Sequence, residues 1–315
     1  MRSILPPLPN GSIVTVGSFD GVHLGHQAVL REIERRAAAA ARPSVLVTFE
    51  PHPLEVVNPR AAPQVLTTGP ERREILAQTG LDYAVFLRFD HRLAELSPTE
   101  FVQEILVERC QMKELVIGHD HGFGRGRAGD VETLRRLGAA GGFVVDVIGP
   151  VENGGHPISS TQIRRAVAGG DLRTAAHLLG RPYHVSGRIV RGVGRGRTMS
   201  IPTANIGAVP ARKLLPPDGV YAVWVEWRGG RYGAMMNQGT RPTFAEHLRL
   251  MEVHLFDFEG DLYDEWIKVE WIERLRDIKR FVSAAELKEQ LNLDREQARA
   301  VLAASNLGAR RVPHV

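Results

Sequence analysis

The sequence predicts an α/β protein in two parts: a Rossmann-like domain built on a parallel sheet, then an antiparallel β-barrel domain with C-terminal helices. Three observations predict it. From residue 11 to about 148, short β-branched runs alternate with helical patterns, as βαβ units do. Past residue 182 the apolar period changes to two, with paired runs meeting at a diglycine. At 315 residues, 43% hydrophobic and 24% charged, the chain is long enough to bury two cores.

In chain order, the first part should place strands at residues 13–17, 45–49, 83–87, 115–118 and 143–148. Helices fall between them, around residues 25–41, 70–79, 98–109 and 130–138. The third helix opens on Ser97, Pro98 and Glu100, which supply an N-cap, a first-turn proline and the acid of a capping box. Two short helices follow from about Gln162 and Leu172 and end at Gly180. Arg181 and Pro182 then break the pattern, so the domains are expected to be residues 1–182 and 183–315. In the second part, runs at 219–227 and 231–237 joined by Gly229 and Gly230 predict a tight hairpin. Further strands at 185–191, 250–256 and 266–271 complete an antiparallel sheet or small barrel. Ser283 with Glu286, and Asp294 with Gln297, have capping-box spacing, which predicts two closing helices, with a frayed tail after Leu307.

Composition excludes several classes. No stretch approaches the roughly 20 uncharged apolar residues of a membrane span. The first ten residues lack the regions of a secretory signal, so a cytosolic location is expected, without a membrane partner. The single cysteine, Cys110, permits no internal disulfide or multi-cysteine zinc site and should be a small buried residue. The net charge of +4 comes from arginines spread over the whole length, not from a patch, and predicts no nucleic-acid partner. A homo-oligomer stays open.

Four polar motifs follow predicted strands, where an open parallel sheet binds its ligands. Residues 17–26, Gly-Ser-Phe-Asp-Gly-Val-His-Leu-Gly-His, form a glycine-bearing turn that puts His23 and His26 at a helix entrance, a place suited to phosphate. The others are residues 48–53 (Thr-Phe-Glu-Pro-His-Pro), 118–124 (Gly-His-Asp-His-Gly-Phe-Gly) and 158–164 (Ile-Ser-Ser-Thr-Gln-Ile-Arg). Any one of them could simply cap or pack. Four on one edge point to a nucleotide triphosphate. There is no Gly-x4-Gly-Lys-Ser/Thr loop. Residues 124–129 do satisfy Gly-x-Gly-x-x-Gly, but this run starts well past its strand and the acidic candidate Asp146 lies inside a strand, so NAD is not expected. The His119-x-His121 pair lacks a third metal ligand in fixed relation.

The second part opens with residues 191–205, where Gly192, Gly194, Arg195 and Gly196 could wrap phosphates through amides and a guanidinium. Thr203 and Asn205 offer neutral oxygens at i and i+2, suited to magnesium. Glu252, in a predicted strand with Leu250, His254 and Phe256 on its face, is either a solvated carboxylate or a general base.

The order of these segments resembles the bacterial bifunctional riboflavin kinase/FAD synthetase family. Residues 19–26 (Phe-Asp-Gly-Val-His-Leu-Gly-His) and 158–164 carry the likeness in the first half. In the second half it rests on Pro202-Thr-Ala-Asn205, Glu252, residues 237–244 (Asn-Gln-Gly-Thr-Arg-Pro-Thr-Phe) and Arg274-Leu-Arg-Asp277. The resemblance implies that riboflavin and magnesium-ATP give FMN at the second domain, and that FMN and ATP give FAD and pyrophosphate at the first. It further implies that His23, His26 and Arg164 act on the ATP phosphates, aided by Gly17, Phe19, Asp20, Gly25, Ser159, Ser160 and Thr161. Asp120 would bind through magnesium, and Thr203 and Asn205 would hold the kinase magnesium. Glu252 would be the kinase base, and His52, Phe123, Arg274 and Arg276 would face flavin. The chain departs from the family at His121-Gly122, Ser200, Gln238 and Ile278. The first of these keeps a monofunctional kinase with a drifted first domain as an alternative, beside a flavin-binding regulator without turnover.

Overall fold

The computed structural model describes residues 5–118, 130–190, 204–207, 209–240 and 249–309, the side chains of Thr240 and of residues 306–309 excepted. The chain divides into two compact units, Met1–Gln162 and Ile163–Val315.

The first unit holds β1 (Ser12–Val16), β2 (Ser44–Glu50), β3 (Tyr83–Arg88), β4 (Met112–Gly118) and β5 (Val144–Ile148) in one sheet, ordered β3-β2-β1-β4-β5. All four pairings are parallel. Central β1 is buried at every position, as a parallel strand covered on both faces must be. Helices α1 (Leu24–Ala40), α2 (Pro53–Val57), α3 (Gly69–Leu76), α4 (His91–Glu95), α5 (Pro98–Glu100) and α6 (Val131–Gly141) connect the strands. Separate apolar clusters form around Val14, Val45 and Leu115 and around Ile13, Leu46 and Val116, residues adjacent along a strand and so on opposite faces of the sheet. The strand order reverses between β1 and β4, and their carboxyl ends are therefore the switch point where such sheets bind ligands. The Ser97–Glu100 capping box forms as predicted. The helix beyond it, however, widens into a π-helix over Phe101–Arg109. A small hairpin, β6 (Glu152–Asn153) and β7 (His156–Pro157), precedes α7 (Ser160–Ala168) and α8 (Leu172–Leu179).

The second unit contains a closed barrel of β8 (Tyr183–Val190), β9 (Ala204–Ile206), β10 (Gly219–Trp227), β11 (Gly230–Thr240), β12 (Arg249–Leu255) and β13 (Trp266–Arg276), ordered β10-β11-β12-β9-β8-β13. The diglycine hairpin is present: Arg228 and Gly229 take φ of 47° and 79°, the left-handed pair of a primed turn. A single helix, α9 (Ala284–Ala309), replaces the two predicted at the end. Asp294 is not a cap there. It is 1% exposed at mid-helix, where Arg276 donates to both of its carboxylate oxygens, at 2.8 and 2.7 Å. Ala298 and Leu302 of α9 pack on Ala222 and Met235, which fixes those positions as the outer face of the barrel.

Candidate active sites

The loop after β1 has an unusual backbone. Phe19, Gly21 and Val22 all have positive φ, of 47°, 81° and 39°, and the two non-glycine residues carry strain of the order of 1 kcal/mol each. Contacts from distant segments hold it. Asp20, 1% exposed, accepts from the Leu66 amide (2.9 Å), the Thr67 amide (2.9 Å) and the Thr67 hydroxyl (3.2 Å). The Gly21 amide donates to Thr67 Oγ1. The Ser18 carbonyl accepts from Thr48 Oγ1 and from the buried Arg72, whose guanidinium also reaches the Phe49 carbonyl. Burial lowers the pKa of Arg72, while Asp20 and Glu50 oppose that shift.

This frame stacks three rings. His23 and His26 lie 3.6 Å apart between centroids, and Phe19 covers His26 at 4.6 Å. His23 is also the N-cap of α1: its Nδ1 accepts from the His26 amide at 3.3 Å. Nδ1 is thereby an acceptor, which in the neutral ring leaves the proton on Nε2 as a donor. Gly25 makes the arrangement possible, because a Cβ there would sit 3.1 Å from the His23 ring and 3.5 Å from the Ile158 carbonyl. Its neighbour Gly17 has a similar constraint, since a Cβ would press on the Phe19 ring at 3.1 Å.

The start of α7 joins the same loop, with the Ser160 hydroxyl donating to the Asp20 carbonyl at 3.0 Å. Ser159 caps the helix by accepting from the Gln162 amide, which leaves the first-turn amides of Ser160 and Thr161 outside that cap. Thr161 is exposed, and Arg164 follows on the next turn. His52 caps α2 by accepting from the Leu54 amide at 3.3 Å. Asp120 and Phe123 lie outside the described residues, as do the Gly124–Gly129 pattern and the His119-His121 pair. Asp146 does lie inside a strand, where it pairs with Arg36. Thr67 and Arg72, which the sequence reading missed, hold the loop through contacts 46 to 54 residues apart, and no local pattern signals them.

On the barrel, Glu252 stands in register with Asn205 on one neighbouring strand and with Asn237 on the other. Directly opposed residues share a face, so the three side chains form one row. Met235, on the outer face, pairs with His254, and Asn237 and Glu252 lie two residues from these, so the row is external. Gly192, Gly194, Arg195, Gly196, Ser200 and Thr203 lie outside the described residues. Arg274 donates to the Asp218 carbonyl and to Asp277. Gly219 leaves room for it, since a Cβ there would lie 2.7 Å from Arg274 Nε. Arg276 spends its guanidinium on Asp294 and the Asp277 carbonyl, and so ties α9 to β13. Gln238, one of the departures, is fully buried and donates to the Pro216 carbonyl at 2.7 Å, a bond no apolar side chain could make. No helix among the described residues is long and apolar enough to cross a membrane. No group of three or more His, Cys, Asp or Glu that could hold a metal ion occurs among them. Burial pushes the Cys110 thiol up to about 11, so it is no nucleophile at neutral pH.

Comparison with known proteins adds the family. A family model described as FAD synthetase matches residues 5–162, and one described as riboflavin kinase matches residues 179–302. A bifunctional riboflavin kinase/FMN adenylyltransferase of Pseudomonas fluorescens is 40% identical over 302 residues, 96% of each chain. The protein of the same description from Escherichia coli strain K12 is 40% identical over 92% of each chain. A crystal structure from Streptococcus pneumoniae, described as a macrolide-efflux protein, superposes with a TM-score of 0.83 at 34% identity, over 93% of this chain and 95% of that one.

Proposed function

Because the chain belongs to the bifunctional riboflavin kinase/FMN adenylyltransferase family, and so converts riboflavin to FMN and FMN to FAD with ATP in both steps, we propose that the two sites described above divide these reactions. Residues 1–182 carry adenylyl transfer and residues 183–315 the kinase. This functional boundary follows the helix pair opened by Ser159, although the compact units part inside the first of those helices. Both family matches occur in order along the chain, which favours two activities over a lone kinase or a silent regulator.

In the first site an FMN phosphate oxygen attacks the α-phosphorus of ATP and the bond to the β-phosphate breaks, releasing pyrophosphate. That reaction needs no protein nucleophile, only positioning and charge neutralisation. His23, through Nε2-H, and His26 serve the α-phosphate. The amides at the start of α7, with Thr161 and Arg164, receive the β and γ phosphates. Ser160 and Asp20 shape the loop, and Gly17, Phe19 and Gly25 let the rings stack. His52 and Phe123 would contact the flavin, and Asp120 would help hold the nucleotide or flavin phosphate through magnesium.

In the second site the ribityl 5′-hydroxyl attacks the γ-phosphorus, ADP leaves, and Glu252 takes the hydroxyl proton. The glycine loop, with Arg195, wraps the phosphates, and Arg274 contributes on the flavin side. Arg276 holds α9 beside it. The Asn205 amide oxygen suits magnesium, which it would hold together with Thr203, while the facing Glu252 carboxylate is kept for the proton. When bound, the metal neutralises phosphate charge. The register Asn205–Glu252–Asn237 is the observation that carries this division. We place the enzyme in the cytosol, serving small molecules and neither nucleic acid nor membrane, a reading supported by its dispersed arginines.

The test is a pair of variants assayed for both products. Glu252→Gln should cut FMN formation about 10²- to 10⁴-fold while FAD formation from supplied FMN continues. His26→Ala should do the reverse. Loss of both activities in either variant would argue against separate sites.

A further inference from the structure

The ladder that aligns Asn205, Glu252 and Asn237 continues: Asn237 pairs with Val220 of β10, and Val220 with Arg276 of β13. The row has a direction. At one end stands the amide assigned to metal and phosphate, next the base, then a second amide, then an apolar residue 5% exposed, and at the far end the Arg274–Arg276 segment. A nucleophile enters opposite its leaving group, so the acceptor must approach Glu252 from the side away from Asn205. On that side the first polar group is Asn237. Its residue is exposed, and among the described residues its amide has no hydrogen-bond partner. Strands lie about 4.8 Å apart, so Asn237 stands one strand spacing from the base and β10 stands about 10 Å from it.

We infer that Asn237 is a substrate-binding residue of the kinase site: its side-chain amide hydrogen-bonds a hydroxyl of the ribityl chain next to the one phosphorylated. The flavin ring then lies on the side of Asn237 away from Glu252. An amide suits this role, since its NH₂ and C=O can donate to and accept from a hydroxyl. A carboxylate there would add a second negative charge beside Glu252 and the triphosphate. The row thus selects for a polyol-bearing acceptor and sets its orientation. This assignment rests on Glu252 being the kinase base.

The experiment uses the full chain, with riboflavin and with a flavin whose ribityl chain lacks the hydroxyl beside the terminal one. Asn237→Ala should raise KM for riboflavin about tenfold, the loss of one hydrogen bond, and leave KM for ATP unchanged. It should bring the two flavins to equal kcat/KM, where the parent enzyme prefers riboflavin by a similar factor. Asn237→Asp should be worse than Ala in kcat. Retained ATP affinity, measured by titration, separates these effects from a misfolded barrel, and Asn237→Ser, which keeps a hydroxyl, should recover part of the preference. If Asn237→Ala keeps the parent KM and preference, the inference is wrong. If Glu252→Gln phosphorylates riboflavin at the parent rate, the base assignment itself fails, and the inference falls with it for that distinguishable reason.

Discussion

Asp20 makes the sharpest test of how the first site is built, because the family likeness would count it among the nucleotide-binding groups whereas its surroundings make it a clamp. Its carboxylate is 1% exposed and accepts three hydrogen bonds from Leu66 and Thr67. Asp20→Asn keeps the size but has one acceptor oxygen, so at least one buried backbone N-H must face an NH₂ group. Bonds to a charged acceptor are worth about 1.5–3 kcal/mol each, and an orphaned buried donor costs about 1–3 kcal/mol. The substitution should therefore destabilise the first unit by about 2–4 kcal/mol. For a unit of this size that lowers the melting transition by roughly 5–15 °C. The assay is thermal unfolding of the whole chain with both activities followed, since two units need not unfold together. FAD formation should be lost at the lower temperature, and FMN formation should persist to the parent temperature. A variant with parent stability but a raised KM for ATP would refute the clamp and make Asp20 a ligand-contacting group.

Three further outcomes follow from the same geometry. Gly25→Ala should cut FAD formation at least tenfold with little change in kinase rate, because the new methyl presses the His23 ring at 3.1 Å; an unaffected rate would mean the stacked rings are not needed. Asp294→Ala should cost the second unit about 3 kcal/mol or more in denaturant titration, by leaving Arg276 beside an empty buried site. Replacing both partners by apolar residues should cost less than either single change, and simple additivity would contradict the pairing. Acid should weaken the barrel through His184, which is 3% exposed and whose pKa is pushed well down by burial, then by Lys213, Lys268 and Arg181. The unfolded imidazole takes a proton near pH 6.5 and the folded one resists it, so the unfolded state binds more protons and stability falls as pH drops below about 6.5. His184→Gln should flatten that slope, and an equally steep fall would remove His184 as its source.

Where regular elements carry an apolar run, the sequence was a good guide: each of the five parallel strands lies within three residues of its expected start, and the central β1, β2 and β4 are mostly buried, as continuous apolar runs are. Elements too short for a period escaped it, such as α2, α4 and the three-residue β9. The closing helix was misread for another reason. Asp294 and Gln297 have the spacing of a cap, but the acid answers to Arg276, 18 residues earlier, a partner that no local pattern can announce. The sites divide similarly. His23, His26 and Ser159 sit at helix starts and were legible as such. What holds their loop, Thr67 and Arg72, was not, because its contacts are made only when the chain folds back. The Asn205–Glu252–Asn237 row needs three strands in register, and one sequence does not state register.

That row also limits how the barrel can change over time. Along β12, residues that seal the interior, Met251 and Val253, alternate with those turned outward, Glu252 and His254. Gaining or losing a single residue within this strand would exchange the two sets, sending a carboxylate into an apolar interior and methyl-rich side chains into water. Length variation is therefore barred from β12 even where substitution is tolerated, and lineages can lengthen or trim this unit only between its strands.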